Sequence, residues 1–245
     1  MKVILLNGSP RMKKSSTYAM LSALEEGMKE AAKNIETDII HLYNKNIHNC
    51  CGCYSCWTKT PGKCIYEDDM VEILTSFTKA DIVVFGIFLY HYTMSGIMKT
   101  FIDRTLPINE PWLISHPNLT GRTGHPLRNN KKQQMLLVSP CGFPELESFD
   151  SLVHTFRHYA DMAFDHYIGE ILCTSAEMFS RSEGKEIGAV YLKKVNKAGR
   201  EIIEKGVISH ELQKELNKGL FDIEKETFYQ LSESYWKMRM EGEYE

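Results

Sequence analysis

Ala80-Asp81-Ile82-Val83-Val84-Phe85-Gly86-Ile87 is the stretch that most limits what this chain can become. After Asp81 nothing polar interrupts it, so a strand here has no face to offer water and must be covered on both sides. Strands of that kind belong to parallel sheets flanked by helices. The rest of the chain supplies the partners. Val3 to Asn7 reads as another buried strand, closed by Gly8-Ser9-Pro10. From Ser16 to about Ala32, Ala19, Leu21, Leu24 and Met28 recur at helical spacing, with Ser15 or Ser16 as the cap. Thr37 to Leu42 is a strand, and Asp68 or Asp69 opens a helix through Phe77. A helix over 95–104, a long polar loop around 106–131 and a strand from Gln134 to Ser139 follow. Phe149 to Ala163, Tyr167 to Cys173 and Glu186 to Lys205 read as helix, strand and helix. The expectation is an α/β fold, a doubly wound five-stranded parallel sheet of order 2-1-3-4-5, with ligands beyond the carboxyl ends of its strands.

After Gly206 the composition turns to charged helix, Ser209 to Asn217 and then Phe221 to Met240. In the second piece Ile223, Phe228, Leu231, Tyr235 and Met238 fall near one face, with Trp236 beside them. We therefore divide the chain into a core over 1–205 and a helical extension over 206–245. An apolar stripe that follows a complete core packs back on it or meets another subunit. A homodimer or homotetramer is expected.

A formal charge of −3 gives no excess of cations for nucleic acid or an anionic membrane surface. The apolar start, Val3 to Leu6, is too short for a signal-peptide core or a membrane span. A cytoplasmic protein is expected. In that compartment clustered cysteines serve metals or catalysis more often than disulfides.

Five of the seven cysteines lie within the fifteen positions from Cys50 to Cys64. Cys50, Cys53, Cys56 and Cys64 are spaced C-x2-C-x2-C-x7-C, with Cys51 as a fifth sulfur. Close C-x2-C steps turn successive thiolates toward one region, which suits an iron–sulfur cluster or a tetrahedral zinc. Spacing alone does not choose between them, nor does it exclude an unmetallated thiol loop or a redox disulfide.

Gly8-Ser9-Pro10-Arg11 joins the first strand to the first helix, and Ser15-Ser16-Thr17 opens that helix. Backbone N–H groups, the helix dipole and short hydroxyls make such a turn an anion site. Arg11, with Lys13 and Lys14 nearby, supplies charge for a phosphate. Neither G-x-G-x-x-G nor a Walker lysine pattern occurs, which weighs against a dinucleotide fold or a nucleotide hydrolase. No Ser–His–Asp or H-E-x-x-H arrangement is visible, so no side-chain catalyst is assigned.

With these motifs the chain resembles the flavodoxin-like NAD(P)H-dependent FMN reductases, and within them the iron–sulfur flavoproteins. The resemblance covers roughly 1–205. It rests on the Gly8–Arg11 turn, the cysteine loop over 49–66 running into Cys64-Ile65-Tyr66-Glu67-Asp68-Asp69-Met70, the segment from Tyr90 through Lys99 to Asp103-Arg104, and Cys141-Gly142-Phe143-Pro144-Glu145. It implies FMN, with its phosphate at Ser9, Arg11, Ser16 and Thr17. The ring then lies against Leu89, Tyr90, Tyr92, Thr93, Ser95 and Gly96 from one loop and Cys141, Gly142 and Phe143 from another. Family members carry proline where this chain has Phe88. The implied chemistry is hydride delivery from NADH or NADPH to the flavin, then to a small-molecule or protein acceptor. The cluster-bearing branch holds [4Fe–4S] on cysteines like Cys50, Cys53, Cys56 and Cys64. An electron carrier serving a ferredoxin-like partner, and a structural zinc loop on a flavoprotein, are the other readings.

Overall fold

The computed structural model describes residues 1–115, 121–129, 131–164, 166–180, 184–221 and 224–242. Five parallel strands form the central sheet in the order β2-β1-β3-β6-β7. They are β1 (Lys2–Asn7), β2 (Glu36–His41), β3 (Ile82–Gly86), β6 (Gln134–Pro140) and β7 (His166–Cys173). A small antiparallel pair, β4 (Ile114–Ser115) and β5 (Thr123–Gly124), sits between β3 and β6 in the chain. Setting that pair aside, the order is the expected 2-1-3-4-5.

The apolar run that opened the argument is divided evenly by strand geometry, because successive side chains point to opposite faces. Ile82 and Val84 join one core cluster with Val3, Leu5, Leu136 and Val138. Val83 and Phe85 join the other with Ile4, Leu6 and Leu137. Helices α1 (Ser16–Ala31) and α5 (Lys185–Lys205) cover the first face. Helices α2 (Met70–Lys79), α3 (Gly96–Asp103) and α4 (Asp150–Ala163) cover the second. Gly27 of α1 and Gly199 of α5 let the two helices touch backbone to backbone. A Cβ on either would run into main-chain atoms of Asn196 or Leu24.

The extension behaves as two pieces. α6 (His210–Asn217) packs on β7 and α5, and Leu212, Leu216 and Leu220 bury in the first core cluster. α7 (Lys225–Met240) buries none of its residues. Phe228, Tyr235 and Met238 are half-buried while Leu231 and Trp236 stay exposed. Ile223, assigned to the same stripe from sequence, lies outside the described residues. Among the described residues no helix is long and apolar enough to cross a membrane.

Three loops meet at the carboxyl end of the sheet, tied by hydrogen bonds rather than by packing alone. Gly8 N–H donates to Gly86 C=O (2.8 Å) and Leu89 N–H to Pro140 C=O (3.1 Å). Ser139 Oγ donates to Ile87 C=O (2.7 Å) and Ser95 Oγ to Gly8 C=O (2.8 Å), both buried. The site is therefore held by neighbouring strands, and its loops have little freedom to part.

Candidate functional site

The turn after β1 is organised by Asn7, a fully buried residue that the sequence reading passed over. Its Oδ1 accepts from Ser9 N–H (3.0 Å), and its Nδ2 lies 3.0 Å from His41 Nδ1 at the end of β2. Burial, and then the charge of Lys13, holds His41 below its ordinary pKa. Met12 takes a positive φ of 46°, which turns the chain back toward the helix. Ser15 caps α1: its Oγ accepts from Tyr18 N–H (3.0 Å) and donates to Met12 C=O (2.6 Å). Gly8 has no room for a side chain, since a Cβ there would sit about 3.0 Å from Met98 and 3.1 Å from Ser95 Oγ.

Ser16 and Thr17 follow the cap, and both are buried. Their hydroxyl oxygens have no hydrogen-bond partner among the described residues. A buried polar group left unmatched costs about 1–3 kcal/mol. Two of them at the positive end of a sixteen-residue helix form a cradle that an anion would satisfy. Arg11 is exposed beside them and, with Lys13, Lys14, Ser15 and Ser16, lines a cavity of about 280 Å³. Ser9, Arg11, Ser16 and Thr17 are thus brought to one turn.

The second loop leaves β3 and folds into a two-residue hairpin. Tyr90 and Thr93 exchange backbone hydrogen bonds of 3.1 and 2.9 Å, and His91 and Tyr92 between them have φ of 45° and 63°. Two positive φ values mark a type I′ turn, which asks for Asn-Gly and here carries two ring side chains. Such strain persists only where the surroundings enforce it. Its effect is to present Tyr92 outward. That ring lies parallel to Phe143 of the third loop, with centroids 5.7 Å apart and planes within 4°. Tyr90, Tyr92 and Phe143 are each about half exposed, a flat apolar surface spanning two loops.

Other residues assigned to this surface serve as its frame. Leu89 is buried, and the Ser95 hydroxyl is engaged with Gly8 at the start of α3. Gly96 is exposed as the first residue of α3. Cys141 N–H donates to Cys173 C=O (2.9 Å), so that amide is already matched. Burial pushes the Cys141 thiol up to about 12, and its Sγ–H donates to Phe143 C=O (3.4 Å). A thiol in that state is no nucleophile.

The cysteine loop meets the C-terminal end of α3, where Thr100 Oγ1 donates to Asn49 Oδ1 (2.9 Å) and Asp103 and Arg104 line the cysteine pocket. Cys50, Cys53, Cys56 and Cys64 all line one small cavity, together with Cys51, Tyr66 and Arg104. Cys56 is buried, Cys64 half-buried, and Cys50, Cys51 and Cys53 exposed. Burial raises the Cys56 thiol, and repulsion from Cys64, Cys50 and Cys53 raises it further. The Ser55 hydroxyl and N–H hold Cys53 below its ordinary value. The four sulfurs thus share one electrostatic neighbourhood. Even so, among the described residues no three His, Cys, Asp or Glu side chains converge closely enough to hold a single metal ion.

A buried ion pair anchors this loop, and the sequence reading noted both residues without joining them. Arg104 Nη1 and Nη2 donate to the two oxygens of Asp68 at 2.7 and 2.9 Å, and Nη1 also donates to His48 C=O (2.7 Å). Neither side chain is more than 1% exposed. Burial alone would raise Asp68, but the bonds from Arg104 and His48 outweigh it and hold the carboxyl well below the usual range. The guanidinium stands 5.2 Å from the Tyr66 ring centroid, and Tyr66 stacks on His48 at 4.8 Å. Trp57 fixes the other end of the loop, donating from Nε1 to Leu106 C=O (3.1 Å).

A family model described as NADPH-dependent FMN reductase matches residues 1–163. The chain belongs to that family. Among this family member's curated relatives, an iron-sulfur flavoprotein of Archaeoglobus fulgidus is 32% identical over 124 residues, 51% of this chain and 52% of the relative. One from Methanocaldococcus jannaschii is 37% identical over 108 residues, 44% of this chain and 53% of the relative. The chain therefore matches about half the length of these relatives. Among solved structures, an FMN-dependent NADH-azoreductase from Bacillus anthracis in complex with FMN superimposes with a TM-score of 0.58 at 16% identity, covering 83% of this chain and 100% of that one. An NAD(P)H:quinone oxidoreductase from Methanothermobacter marburgensis gives 0.58 at 17%, covering 82% and 96%. These likenesses establish the flavodoxin-like fold. The buried, unpartnered hydroxyls at the start of α1 are of a kind that a phosphate group would satisfy.

Proposed function

We propose that this FMN reductase family member is an FMN-dependent NAD(P)H oxidoreductase whose cysteine loop carries a [4Fe–4S] cluster. The observation that carries the flavin half is the pair of buried, unmatched hydroxyls on Ser16 and Thr17 at the N-terminus of α1. Ser9 and Arg11 complete the phosphate cradle. Leu89, Tyr90, Tyr92, Thr93, Ser95, Gly96 and the 141–143 loop hold or frame the ring. Bound there, FMN supplies hydride and one-electron chemistry. The protein's own part is orientation: the strained His91-Tyr92 turn and Phe143 present the apolar surface, and Ser95 locks it to the phosphate turn. No side-chain acid or base is assigned, and the buried Cys141 thiol stays protonated.

The cluster half is supported by four cysteines around one cavity, together with the curated relatives' names. Zinc needs its ligands gathered at one point, roughly 2.3 Å from the metal. A four-iron cluster asks its thiolates to surround a larger body, each on its own iron. The four cysteines line one small pocket without converging on a point, so the preference for a cluster over zinc rests on the relatives' names. Exposure of Cys50 and Cys53 also favours a second reading, in which the protein passes single electrons to a ferredoxin-like partner.

The test is anaerobic reduction of the holoprotein. NADH or NADPH should bleach the flavin, and Cys64→Ser should lose iron while retaining FMN. Holoprotein that keeps FMN yet is reduced by neither nicotinamide overturns the oxidoreductase reading.

A further inference from the structure

Asn7 and His41 are register partners at the last positions of β1 and β2. A side-chain amide has one accepting end and one donating end. Both ends of Asn7 are engaged: Oδ1 accepts from Ser9 N–H (3.0 Å), while Nδ2 donates to Met12 C=O (3.4 Å) and stands 3.0 Å from His41 Nδ1. Since Ser9 N–H fixes which end is the oxygen, His41 meets a donor. Its Nδ1 then has to be the bare, accepting nitrogen of a neutral ring that carries its proton on Nε2.

Protonating the ring places a hydrogen on Nδ1, and two donors then face each other. Turning the Asn7 amide over only moves the conflict, because Nδ2 would confront Ser9 N–H. One bond is lost either way, and Asn7, being fully buried, cannot exchange it for water. The bonds at stake shape the turn. Ser9 and Met12 bracket Arg11, Met12 N–H donates to Ser9 C=O (3.1 Å), and Met12 C=O accepts from the capping hydroxyl of Ser15 (2.6 Å). His41 itself is half-buried, with the Tyr18 ring of α1 against it at 5.4 Å between centroids. The other titratable groups around it are Lys13 of the turn and Asp38, Lys45 and Glu72, which line a cavity of about 350 Å³ with it. Burial and Lys13 together favour the neutral ring.

We propose that neutral His41 is a positioning residue for the turn after β1, acting through Asn7 on the Ser9 amide, and that its protonation loosens the hold of that turn on a phosphate-bearing ligand. This role rests on the turn being the phosphate site. Binding favours the neutral ring, so affinity is full above the His41 pKa of the free protein. It falls as pH drops through that value, which lies below 6.5.

The test is the FMN affinity of full-length holoprotein between about pH 7.5 and about pH 5, read from the fluorescence of flavin released on dilution. Titration of the FMN phosphate is common to every variant, so comparison among them isolates the ring. Wild type should weaken about three- to tenfold more over this range than His41→Asn, whose Oδ1 stands in for Nδ1 and accepts without titrating. His41→Leu, which has no acceptor, should bind more weakly than wild type at neutral pH and change less on acidification. An acid-induced loss that is equal in wild type and His41→Asn overturns the role. So does a His41→Leu variant as tight as wild type at neutral pH. If His41→Asn fails to fold, nitrogen-15 NMR of the wild-type ring decides: a bare Nδ1 at neutral pH supports the pair and a protonated one overturns it. Arg11→Ala separates this failure from failure of the phosphate site. Undiminished FMN affinity in Arg11→Ala sinks the phosphate site itself, whereas weakened affinity there with matched His41 profiles sinks only the positioning role.

Discussion

Ser16 and Thr17 are buried polar residues that the fold does not need, and their cost is offset only when something accepts from them. Thr17→Val keeps the shape and removes the hydroxyl. Its expected effect is a loss of about 1.5–3 kcal/mol in FMN binding, by fluorescence titration, with apoprotein stability unchanged or raised. Arg11→Ala should weaken FMN by a similar amount through the lost charge. Equal affinity in both variants would contradict the phosphate assignment. Asp68 and Arg104 act on stability instead. Because the folded carboxyl titrates well below its unfolded value near pH 4, its contribution is present at neutral pH and declines as pH falls below about 4. Asp68→Asn leaves Arg104 buried beside a neutral partner and should cost about 3–5 kcal/mol, with a flatter acid limb in a pH series of denaturant melts. At this scale the strand–turn–helix that carries Ser9, Arg11, Ser16 and Thr17 was legible, because an apolar strand running into a capped helix is written in the residues. Asn7 and the Asp68–Arg104 pair were not. Asn7 looks like an ordinary strand end, and thirty-five positions separate Asp68 from Arg104.

The elements of the sheet were legible because both periods are written in apolar residues that must be buried. Observed boundaries fall within a few positions of those read from the chain. The hairpin β4–β5 was not legible, since two-residue strands carry no period; the segment had read as a long polar loop. That loop is a wall: its Leu106 receives Trp57, and Trp57 also packs on His125 at 4.8 Å. The His91-Tyr92 turn was illegible for a different reason, as neither residue is the Asn or Gly that such a turn prefers. α7 is the element whose role the fold leaves to assembly. α7 has no buried residue, half-buries Phe228, Tyr235 and Met238, and carries a Lys225–Glu145 ion pair of 3.0 Å to the core, a contact of small energetic weight. We expect it to pack against a second subunit through Phe228, Leu231, Tyr235 and Trp236. A chain ending at Phe221 retains Leu212, Leu216 and Leu220, so it should stay folded and drop to a smaller species in sedimentation. A shortened chain that keeps the full-length oligomeric state would remove α7 from the interface.

At the scale of the whole molecule, three loops at the strand ends and one cysteine loop at the end of α3 form the two candidate places. The first is set by backbone: strand ends, a helix N-terminus and a strained turn hold the proposed flavin surface. The second is set by a buried charge pair and a tryptophan, beside which four cysteines line one small pocket. The residue types of both places were legible in the chain, and only the fold shows that Arg104, paired with Asp68, lines the second. The central claim is that both places are filled in the working protein. Its most direct measurement is FMN, iron, sulfide and zinc per chain in anaerobically purified protein. The account predicts about one FMN with about four irons and four sulfides. Stoichiometric zinc without iron, or protein that holds no FMN, would contradict it.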